Sequence, residues 1–334
     1  MKNIKLGIIG ATGCVGLEML KILEEKNLDI SELRLFASPR SKGRILKYNN
    51  QDIEVSMLDD GCFDGLDFVL GAATNEIAKN YKDKIVKSKA IFIDNSSAFR
   101  MDEDVPLVVP EINPEDAFKN NGVIANPNCS TIITMVAINA INNLSTIKSI
   151  NACTYQAVSG AGVGGMYELQ QQTTAIMNNE EIETKVFSEQ IAYNCIPQIG
   201  SFNDNGYTTE EMKMQNEGRK IMHLPELLVD CTCVRVPVMR SHSISVTLQL
   251  EDKLELSAIR KALKNTKGVV LKDDISNNVF PTPLQSSNQD LVFVGRVRKD
   301  LCNEKGISLW CVGDQIRKGA ATNAIQIMEL YLNN

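Results

Sequence analysis

Cys129 has neighbours that could make it a nucleophile. It lies between an Asn-Pro-Asn turn and the apolar stretch CSTIITMVAINAI, which predicts a helix over roughly 130–143. A thiol at a helix N-terminus feels the positive end of the helix dipole, which favours the reactive thiolate. The position suits covalent catalysis. However, the chain has nine cysteines, and cysteine is most often a buried structural residue, so position alone leaves both roles open.

A base for such a nucleophile would come from one of only two histidines. His242 lies in RVPVMRSHSISV, between two predicted strands and close in sequence to Arg235 and Arg240. Its unperturbed pKa of ~6.5 suits proton transfer near neutral pH, although a polar turn histidine is an equal alternative. His223 precedes a proline at the end of a predicted helix, which is typical of a helix-end residue.

Cations and one acid could bind an anionic substrate. Arg100 follows a strand end and a hydroxyl-rich loop in DNSSAFR, where a two-pronged contact with phosphate or carboxylate is possible. Arg235 lies in the otherwise apolar strand CTCVRVPV and needs an anionic partner there. Glu210 and Lys213 are three residues apart on a predicted helix, which by itself predicts a surface ion pair.

Three glycines point to a dinucleotide. Gly10, Gly13 and Gly16 follow the apolar run IKLGII and precede a predicted helix. Glycines there let backbone N–H groups approach a pyrophosphate, although a strand-to-helix turn without a ligand is the alternative. The second strand ends in LFASPRSKGR without a carboxylate, and Arg40 and Ser41 suit a 2′-phosphate. NADP(H) is therefore favoured over NAD, unless this is an ordinary basic surface loop.

The elements that must position these residues differ between the two halves of the chain. The first half alternates predicted strands with helices such as NEIAKNYKDKIVKS, which predicts a parallel sheet with helices on both faces. Its predicted strands are IKLGII, LRLFAS, DFVLGAA, AIFIDNSS, VPLVVP and GVIANPN. The second half has longer, alternating strands, typical of an α+β sheet with one covered face. The final segment DQIRKGAATNAIQIMELYL predicts a helix.

Bulk composition excludes several classes of partner. The net charge is −6 and no basic block occurs, so neither nucleic acid nor an anionic membrane is expected. We expect neither a signal peptide nor a membrane span. An odd number of cysteines without a disulfide framework indicates reduced thiols in the cytoplasm. The CTC pair lacks a histidine at ligand spacing, and we expect no metal site.

Together these stretches resemble the aspartate-β-semialdehyde dehydrogenase family over nearly the whole chain. The resemblance rests on GATGCVG, DNSSAFR, VVPEIN, NPNCSTI, TYQAVSGAG, CVRVPVMRSHS, FPTPLQ and GDQIRKGAATNA, among others, in that order. It implies a Rossmann-type doubly wound domain over 1–128, completed by a C-terminal helix at 315–334. It also implies a catalytic and dimerisation domain of glyceraldehyde-phosphate-dehydrogenase-like α+β type over 129–314.

The family's reaction is the reversible, NADP-dependent reduction of L-aspartyl-4-phosphate to L-aspartate-4-semialdehyde, with release of phosphate. It belongs to the pathway to lysine, threonine, methionine and diaminopimelate. By resemblance, Cys129 would form a thioester and His242 would be the general acid/base. Asn128 would be an active-site residue, and Gln156 would position the substrate and help to hold the tetrahedral intermediate.

The resemblance also assigns binding roles. Arg235 would bind the substrate carboxylate and Glu210 its amino group, whereas Arg100 and Lys213 would bind phosphate. The implied NADP(H) contacts are Gly10, Thr12, Gly13, Cys14, Val15, Arg40, Ser41, Ser159, Gly160 and Gln315. The implied assembly is a homodimer or homotetramer.

Two rival functions remain at this point. N-acetyl-γ-glutamyl-phosphate reductase uses the same chemistry, but its nucleophile motif resembles NPGCYPT, whereas this chain has NPNCSTI. A non-catalytic NADP-binding protein would be indicated by loss of Cys129 or His242, and both are present. The SCTTN motif of a glyceraldehyde-phosphate dehydrogenase is absent.

Overall fold

The chain folds into two compact units in a computed structural model that describes residues 3–332. The first unit comprises the chain up to Asn128 together with the segment from Ala320 onward, and the second comprises Cys129–Gly319. None of the helices in the described range is long and apolar enough to cross a bilayer.

The first unit contains a seven-stranded sheet within residues 3–332, in the order β3-β4-β2-β1-β5-β6-β7. All its pairings are parallel except β3–β4, so the predicted parallel sheet is confirmed. Two of its helices are α1, Cys14–Lys26, and α2, Asn75–Lys87. The strands are β1 Ile4–Ile9, β2 Ile30–Phe36, β3 Ile45–Tyr48, β4 Gln51–Ser56, β5 Phe68–Gly71, β6 Ile91–Asp94 and β7 Val123–Ala125.

Two features of this unit differ from the sequence prediction. The β3–β4 hairpin was not predicted, and Asn49 and Asn50 form its two-residue turn with φ values of 46° and 62°. The predicted strand VPLVVP is wrong, because residues 105–110 make only one isolated bridge, between Leu107 and Ala125. Prolines at both 106 and 110 lack the N–H that a strand ladder needs.

The second unit contains a six-stranded mixed sheet in the order β11-β12-β13-β10-β8-β9. Its central pairs are antiparallel, whereas β8–β9 and β11–β12 are parallel. The strands are β8 Ile147–Gln156, β9 Leu228–Arg235, β10 His242–Leu250, β11 Val269–Leu271, β12 Val292–Lys299 and β13 Gly306–Gly313. The helices are α3 Cys129–Asn142, α4 Gly162–Asn178, α5 Thr209–Met222, α6 Leu256–Asn265 and α7 Pro283–Ser286.

Helix α3 is the core element beneath this sheet. It contacts β8, β10, β12 and β13, and nearly every residue from Ser130 to Ile141 is buried. Along β10, Ile244, Val246 and Leu248 are fully buried, while the residues between them are more exposed. The alternation is that of a sheet with one covered face, so the α+β prediction for the second half is confirmed.

The C-terminal segment is only partly the helix that its sequence predicts. The α-helix α8 begins at Thr322 and ends at Leu332, and residues Arg317–Ala321 form a π-helical turn before it. A continuous α-helix from Asp314 is wrong because Gly319 N donates to the Asp314 carbonyl, five residues earlier, which makes the first turn π-helical. The Asp314 carboxylate caps this turn by accepting the backbone N–H groups of Ile316 and Arg317. Helix α8 then packs into the apolar core of the first unit.

Candidate active site

Cys129 is the first residue of α3, as predicted. Its thiol is half-buried, and no acidic residue lies in the first turn to oppose the helix dipole. Gly319 lies directly against it, since a Cβ at that position would be only 2.8 Å from the Cys129 Cβ. The buried helix thus fixes the cysteine backbone, and the glycine leaves room for the side chain.

Five of the other thiols in the described range are less suited to nucleophilic chemistry. All nine cysteines are outside disulfides. Burial raises the pKa of Cys62, Cys153 and Cys311, which keeps these thiols protonated. Cys231 and Cys233 are buried with their sulfur atoms 3.8 Å apart, and residues 3–332 contain no cluster of three metal-binding side chains.

His242 opens β10 and is completely buried. Burial, together with the nearby positive charge of Arg235, lowers its pKa to about 3, although the charge of Glu210 acts in the opposite direction. The Ala157 backbone N–H donates to Nδ1 over 3.0 Å. The neutral ring therefore carries its proton on Nε2. The unperturbed pKa assumed from sequence is wrong, because it ignores this desolvation.

Gln156 ends β8 beside this histidine. Its Nε2 lies 3.4 Å from His242 Nε2 and donates to Glu210 Oε1 over 3.3 Å. The hydroxyl of Thr154 donates to the side-chain oxygen Oε1 of Gln156 over 3.0 Å, which fixes the orientation of the side-chain amide. Two N–H donors, one from each side chain, therefore lie next to each other in a buried position.

Glu210 and Lys213 do not form the surface ion pair that their spacing predicts. The Glu210 side chain is only 9% exposed, and its Oε2 accepts from Lys213 Nζ over 2.9 Å. Thr208 caps the helix, and Glu211 completes a capping box that begins α5 at this point. The cap places Glu210 in the first turn, with one carboxylate oxygen toward Gln156 and the other toward Lys213.

Arg235 ends β9 in register with Gln156. Its Nη1 donates to the Ala157 carbonyl over 2.7 Å, and its guanidinium carbon lies 5.8 Å from the centre of the Phe187 ring. Burial lowers its pKa, whereas negative charge on Cys129 and Glu210 raises it, so the nucleophile lies within electrostatic reach. Among residues 3–332, no carboxylate forms a salt bridge with this buried cation.

The turn after β8 lies against these groups. A Cβ at Gly160 would be 2.7 Å from Arg235 Nη1 and 3.1 Å from His242 Cε1. Ser159 Oγ accepts a hydrogen bond from Gln315 Nε2. Gln315 Oε1 in turn accepts from the backbone N–H of Ser241, which has a φ of 76° just before the histidine. Ser159 and Gln315 thus brace the start of β10.

The sequence analysis did not predict a role for Asp314, the residue before Gln315. Asp314 is fully buried and pairs with Arg240, whose Nε donates to Asp314 Oδ2 over 2.6 Å. The same carboxylate oxygen accepts from the backbone N–H of Asn288. An acid directly after the apolar strand SLWCVG was the available signal, since a carboxylate there needs a buried partner.

Arg100 and Asn128 belong to the first unit, and both are buried. Arg100 lies in the turn after β6, where Nε donates to the Asn126 carbonyl over 3.0 Å and Nη2 to the Asn95 carbonyl over 2.8 Å. Of the predicted catalytic and substrate-binding residues, the second unit contains the other six: Cys129, Gln156, Glu210, Lys213, Arg235 and His242.

The glycine loop of the first unit lines a cavity of about 450 Å³. Gly10 has a φ of 80°, and a Cβ there would be 2.3 Å from the Ala72 carbonyl oxygen. A Cβ at Gly16 would be 2.3 Å from the Gly10 carbonyl oxygen, so both positions require glycine. Gly13 is the N-cap of α1 and offers no side-chain cap, so the helix N-terminus can receive an anion. The arrangement fits the pyrophosphate of a dinucleotide.

The remaining predicted cofactor residues are divided between the units. Thr12 lines the same cavity, and Cys14 and Val15 begin α1. Ser41 is linked to Thr12 by a 3.2 Å contact between their hydroxyl oxygens, and Arg40 is exposed in the 3₁₀ turn Pro39–Ser41. Ser159, Gly160 and Gln315 lie in the second unit.

Comparison with known proteins agrees with this architecture. A family model described as Semialdehyde dehydrogenase, NAD binding domain, matches residues 5–120, and one described as Semialdehyde dehydrogenase, dimerisation domain, matches residues 138–318. The predicted fold class, a dinucleotide-binding domain followed by an α+β catalytic and dimerisation domain, is confirmed.

Similar proteins match nearly the whole chain. The aspartate-semialdehyde dehydrogenase of Aquifex aeolicus is 47% identical over 98% of both chains. That of Bacillus subtilis is 45% identical over 98% of this chain and 97% of its own. The crystal structure of aspartate semialdehyde dehydrogenase II from Vibrio cholerae complexed with ASA has a TM-score of 0.98 and 42% identity, over 100% of this chain and 99% of that one. The chain belongs to the aspartate-semialdehyde dehydrogenase family.

Proposed function

We propose that this chain catalyses the reversible, phosphorylating oxidation of L-aspartate-4-semialdehyde to L-aspartyl-4-phosphate with NADP, through a thioester on Cys129. The observation that carries the proposal is the arrangement of Gln156, Glu210, Arg235 and His242 in the unit that begins with Cys129. Relatives at 45–47% identity carry the name of this activity, and the similar Vibrio cholerae structure was solved with ASA.

Recognition of the amino-acid end of the substrate follows from two buried charges. Arg235 lacks a carboxylate partner within residues 3–332, and a substrate α-carboxylate would supply one. Glu210 would bind the substrate ammonium group, since its carboxylate is buried and points toward the same cluster. The two opposite charges would orient an α-amino acid in only one direction.

The covalent chemistry then falls to Cys129, with Asn128 beside it in the chain. The thiolate attacks the carbonyl carbon, a C–S bond forms, and the carbonyl oxygen takes up the negative charge. His242 Nε2–H and the Gln156 amide are adjacent donors whose nitrogen atoms are 3.4 Å apart, so they can share this oxygen. The general acid/base role that the family implies for His242 would need a free lone pair on the ring, so either the Ala157 N–H would have to leave Nδ1 or the ring proton would have to leave Nε2.

The thioester is exchanged for an acyl phosphate without a change of oxidation state. A phosphate oxygen attacks the thioester carbon, the C–S bond breaks, and Cys129 leaves as a thiolate. Arg100 and Lys213 would bind the phosphate, by charge-assisted hydrogen bonds. Lys213 is already oriented by its 2.9 Å bond to Glu210.

The cofactor contributes the redox half of the reaction: when bound, the nicotinamide accepts or donates a hydride. Gly10, Thr12, Gly13, Cys14 and Val15 would hold its pyrophosphate end. Arg40 and Ser41 would bind the 2′-phosphate, which supports NADP over NAD. The remaining proposed contacts, all in the second unit, are Ser159, Gly160 and Gln315.

We also propose the biological setting that the family implies. L-Aspartate-4-semialdehyde, which the reaction forms in the reductive direction, would feed the pathway to lysine, threonine, methionine and diaminopimelate, and the enzyme would act in the cytoplasm. The match of residues 138–318 to a dimerisation domain supports assembly into a homodimer or homotetramer through the second unit.

A spectrophotometric assay tests the proposed activity. The purified chain would receive aspartate semialdehyde, inorganic phosphate and NADP, and NADPH would be followed by its absorbance. We expect sustained NADPH formation that requires phosphate. A parallel reaction with N-acetyl-glutamate semialdehyde tests the rival reductase, and faster turnover of that substrate would overturn the proposal.

A further inference from the structure

Three asparagine side chains form a continuous chain of hydrogen bonds inside the first unit. Asn323 Nδ2, on α8, donates to Asn126 Oδ1 over 2.7 Å, and Asn126 Nδ2 donates to Asn95 Oδ1 over 2.9 Å. Asn95 Nδ2 completes the series by donating to the Gly71 carbonyl over 2.7 Å. Asn323 and Asn126 are 0% and 1% exposed, so water does not compete for the bond between them, whereas Asn95 is partly exposed.

The direction of this amide relay, defined as Asn95, Asn126 and Asn323, is fixed. Asn126 receives a hydrogen bond on its oxygen from one side and gives one from its nitrogen on the other. Asn323 Nδ2 also donates to the Val108 carbonyl over 2.9 Å, so its nitrogen must face both acceptors. An amide turned by half a rotation would place oxygen against oxygen, a costly arrangement in a buried site.

Two residues of the relay hold Arg100 through their backbone carbonyl groups. Arg100 Nε donates to the Asn126 carbonyl and Nη2 to the Asn95 carbonyl, so both acceptors belong to members of the relay. Nε and Nη2 lie on one edge of the planar guanidinium, and two bonds to that edge fix the plane of the group. The Asn126 backbone is anchored in turn by its N–H, which donates to the Asp94 carbonyl over 2.8 Å.

We infer that Asn95, Asn126 and Asn323 are positioning residues that set the orientation of Arg100 for phosphate. The inference rests on the proposed function, which gives Arg100 its role in phosphate binding. It implies that Asn323, on the C-terminal helix α8, also affects the affinity for phosphate. Loss of the relay leaves the charge of Arg100 unchanged, but the orientation of its guanidinium group is no longer fixed. Phosphate binding weakens as a result, and binding of the semialdehyde does not.

The test uses one variant at each end of the relay and a matched control. Asn323→Ala and Asn95→Ala each remove one amide and leave the Arg100 carbonyl acceptors in the backbone. Asn113→Ala removes another buried amide of the first unit, one that bonds to Val109 N, the Leu107 carbonyl and Asp116. We expect KM for phosphate to rise about tenfold in both relay variants, with KM for the semialdehyde within twofold of wild type. Asn113→Ala should leave KM for phosphate unchanged.

A double-mutant cycle separates positioning from general loosening. In an Arg100→Lys background, Asn323→Ala should have little further effect on KM for phosphate, because the residue acts through the guanidinium. An equal effect of Asn113→Ala, or an undiminished effect of Asn323→Ala in that background, would overturn the inference.

A second readout does not require turnover. Inorganic phosphate should raise the thermal unfolding midpoint of the wild type, and Asn323→Ala should require about tenfold more phosphate for the same rise. If phosphate stabilises the wild type but no NADPH forms, the proposed function is wrong. The inference about the relay is then still tested by comparing the phosphate titrations of wild type and Asn323→Ala. If Asn323→Ala titrates like wild type, the relay inference fails whether or not the enzyme turns over.

Discussion

A single methyl group at position 160 tests the geometry of the proposed catalytic cluster. Gly160→Ala places a Cβ 2.7 Å from Arg235 Nη1, 3.1 Å from His242 Cε1 and 3.3 Å from His242 Nε2. The backbone at Gly160 is not in the left-handed region, so alanine causes no conformational strain of its own. An effect on the use of the semialdehyde therefore comes from the contact with Arg235 and His242, and KM for NADP is measured alongside because Gly160 is also a proposed cofactor contact.

The magnitude follows from the contacts that hold these side chains. Ordinary contact begins at 3.4 Å, so the group at 2.7 Å must move by about 0.7 Å. His242 is completely buried and cannot shift, so the Arg235 guanidinium must move. This movement breaks the hydrogen bond of 2.7 Å from Arg235 Nη1 to the Ala157 carbonyl. A lost hydrogen bond to a charged group costs ~1.5–3 kcal/mol, which corresponds to a roughly ten- to hundredfold loss in kcat/KM.

Steady-state kinetics in the phosphorylating direction measure this effect. We expect KM for aspartate semialdehyde to rise and kcat to fall, because Arg235 is proposed to bind that substrate and His242 to act on its carbonyl group. The matched control is Gly164→Ala, whose Cβ would meet only the Val186 side chain, at 3.3 Å. A Gly160→Ala enzyme as active as Gly164→Ala would refute the proposed packing of Arg235 and His242.

Three further predictions concern a titration, the cofactor and the cysteines. Because the folded chain holds His242 neutral down to about pH 3, lowering the pH below ~6.5 protonates the histidine only in the unfolded state. The free energy of unfolding therefore decreases as the pH is lowered, and at pH 5 His242 accounts for ~2 kcal/mol of the decrease. Urea unfolding at pH 7 and at pH 5 measures this effect. Between the two pH values, His242→Asn should lose ~2 kcal/mol less stability than wild type. Arg40→Ala should raise KM for NADP about tenfold and leave KM for NAD unchanged. The control Arg44→Ala, at a nearby arginine, should change neither KM value. Equal effects of Arg40→Ala on both cofactors would contradict a contact between Arg40 and the 2′-phosphate. Cys129→Ala should abolish turnover in the NADPH assay and Cys153→Ala should retain it; the reverse result would remove Cys129 from the mechanism.

Local sequence patterns predicted the elements that carry the site well. The strand Ile4–Ile9 and the helix start at Cys129 are both marked by apolar runs next to turn residues, and such signals are local. The β3–β4 hairpin was not predicted because its exposed strands carry charged residues such as Lys47 and Glu54 and therefore lack a continuous apolar run. Its Asn-Asn turn was the signal that could have identified it.

The state of the site residues could not be read from local sequence. Glu210 and Lys213 have the spacing of a surface pair, and the burial of Glu210 depends on Gln156, which is 54 residues earlier in the chain. The pKa of His242 depends on how completely distant elements exclude water from it. The π-helical turn before α8 rests on the bond from Gly319 N–H to the Asp314 carbonyl, five residues earlier, and the apolar helical pattern of the segment does not reveal it.

The central claim, acyl transfer through Cys129, is tested most directly by a single-turnover measurement without phosphate. Aspartate semialdehyde and excess NADP would be mixed with the enzyme, NADPH would be followed rapidly, and the quenched protein would be digested for mass spectrometry. We predict a burst of no more than one NADPH per subunit, an acyl adduct on the peptide that contains Cys129, and loss of the adduct when phosphate is added. Continuous NADPH formation without phosphate, or an adduct on another cysteine, would contradict it.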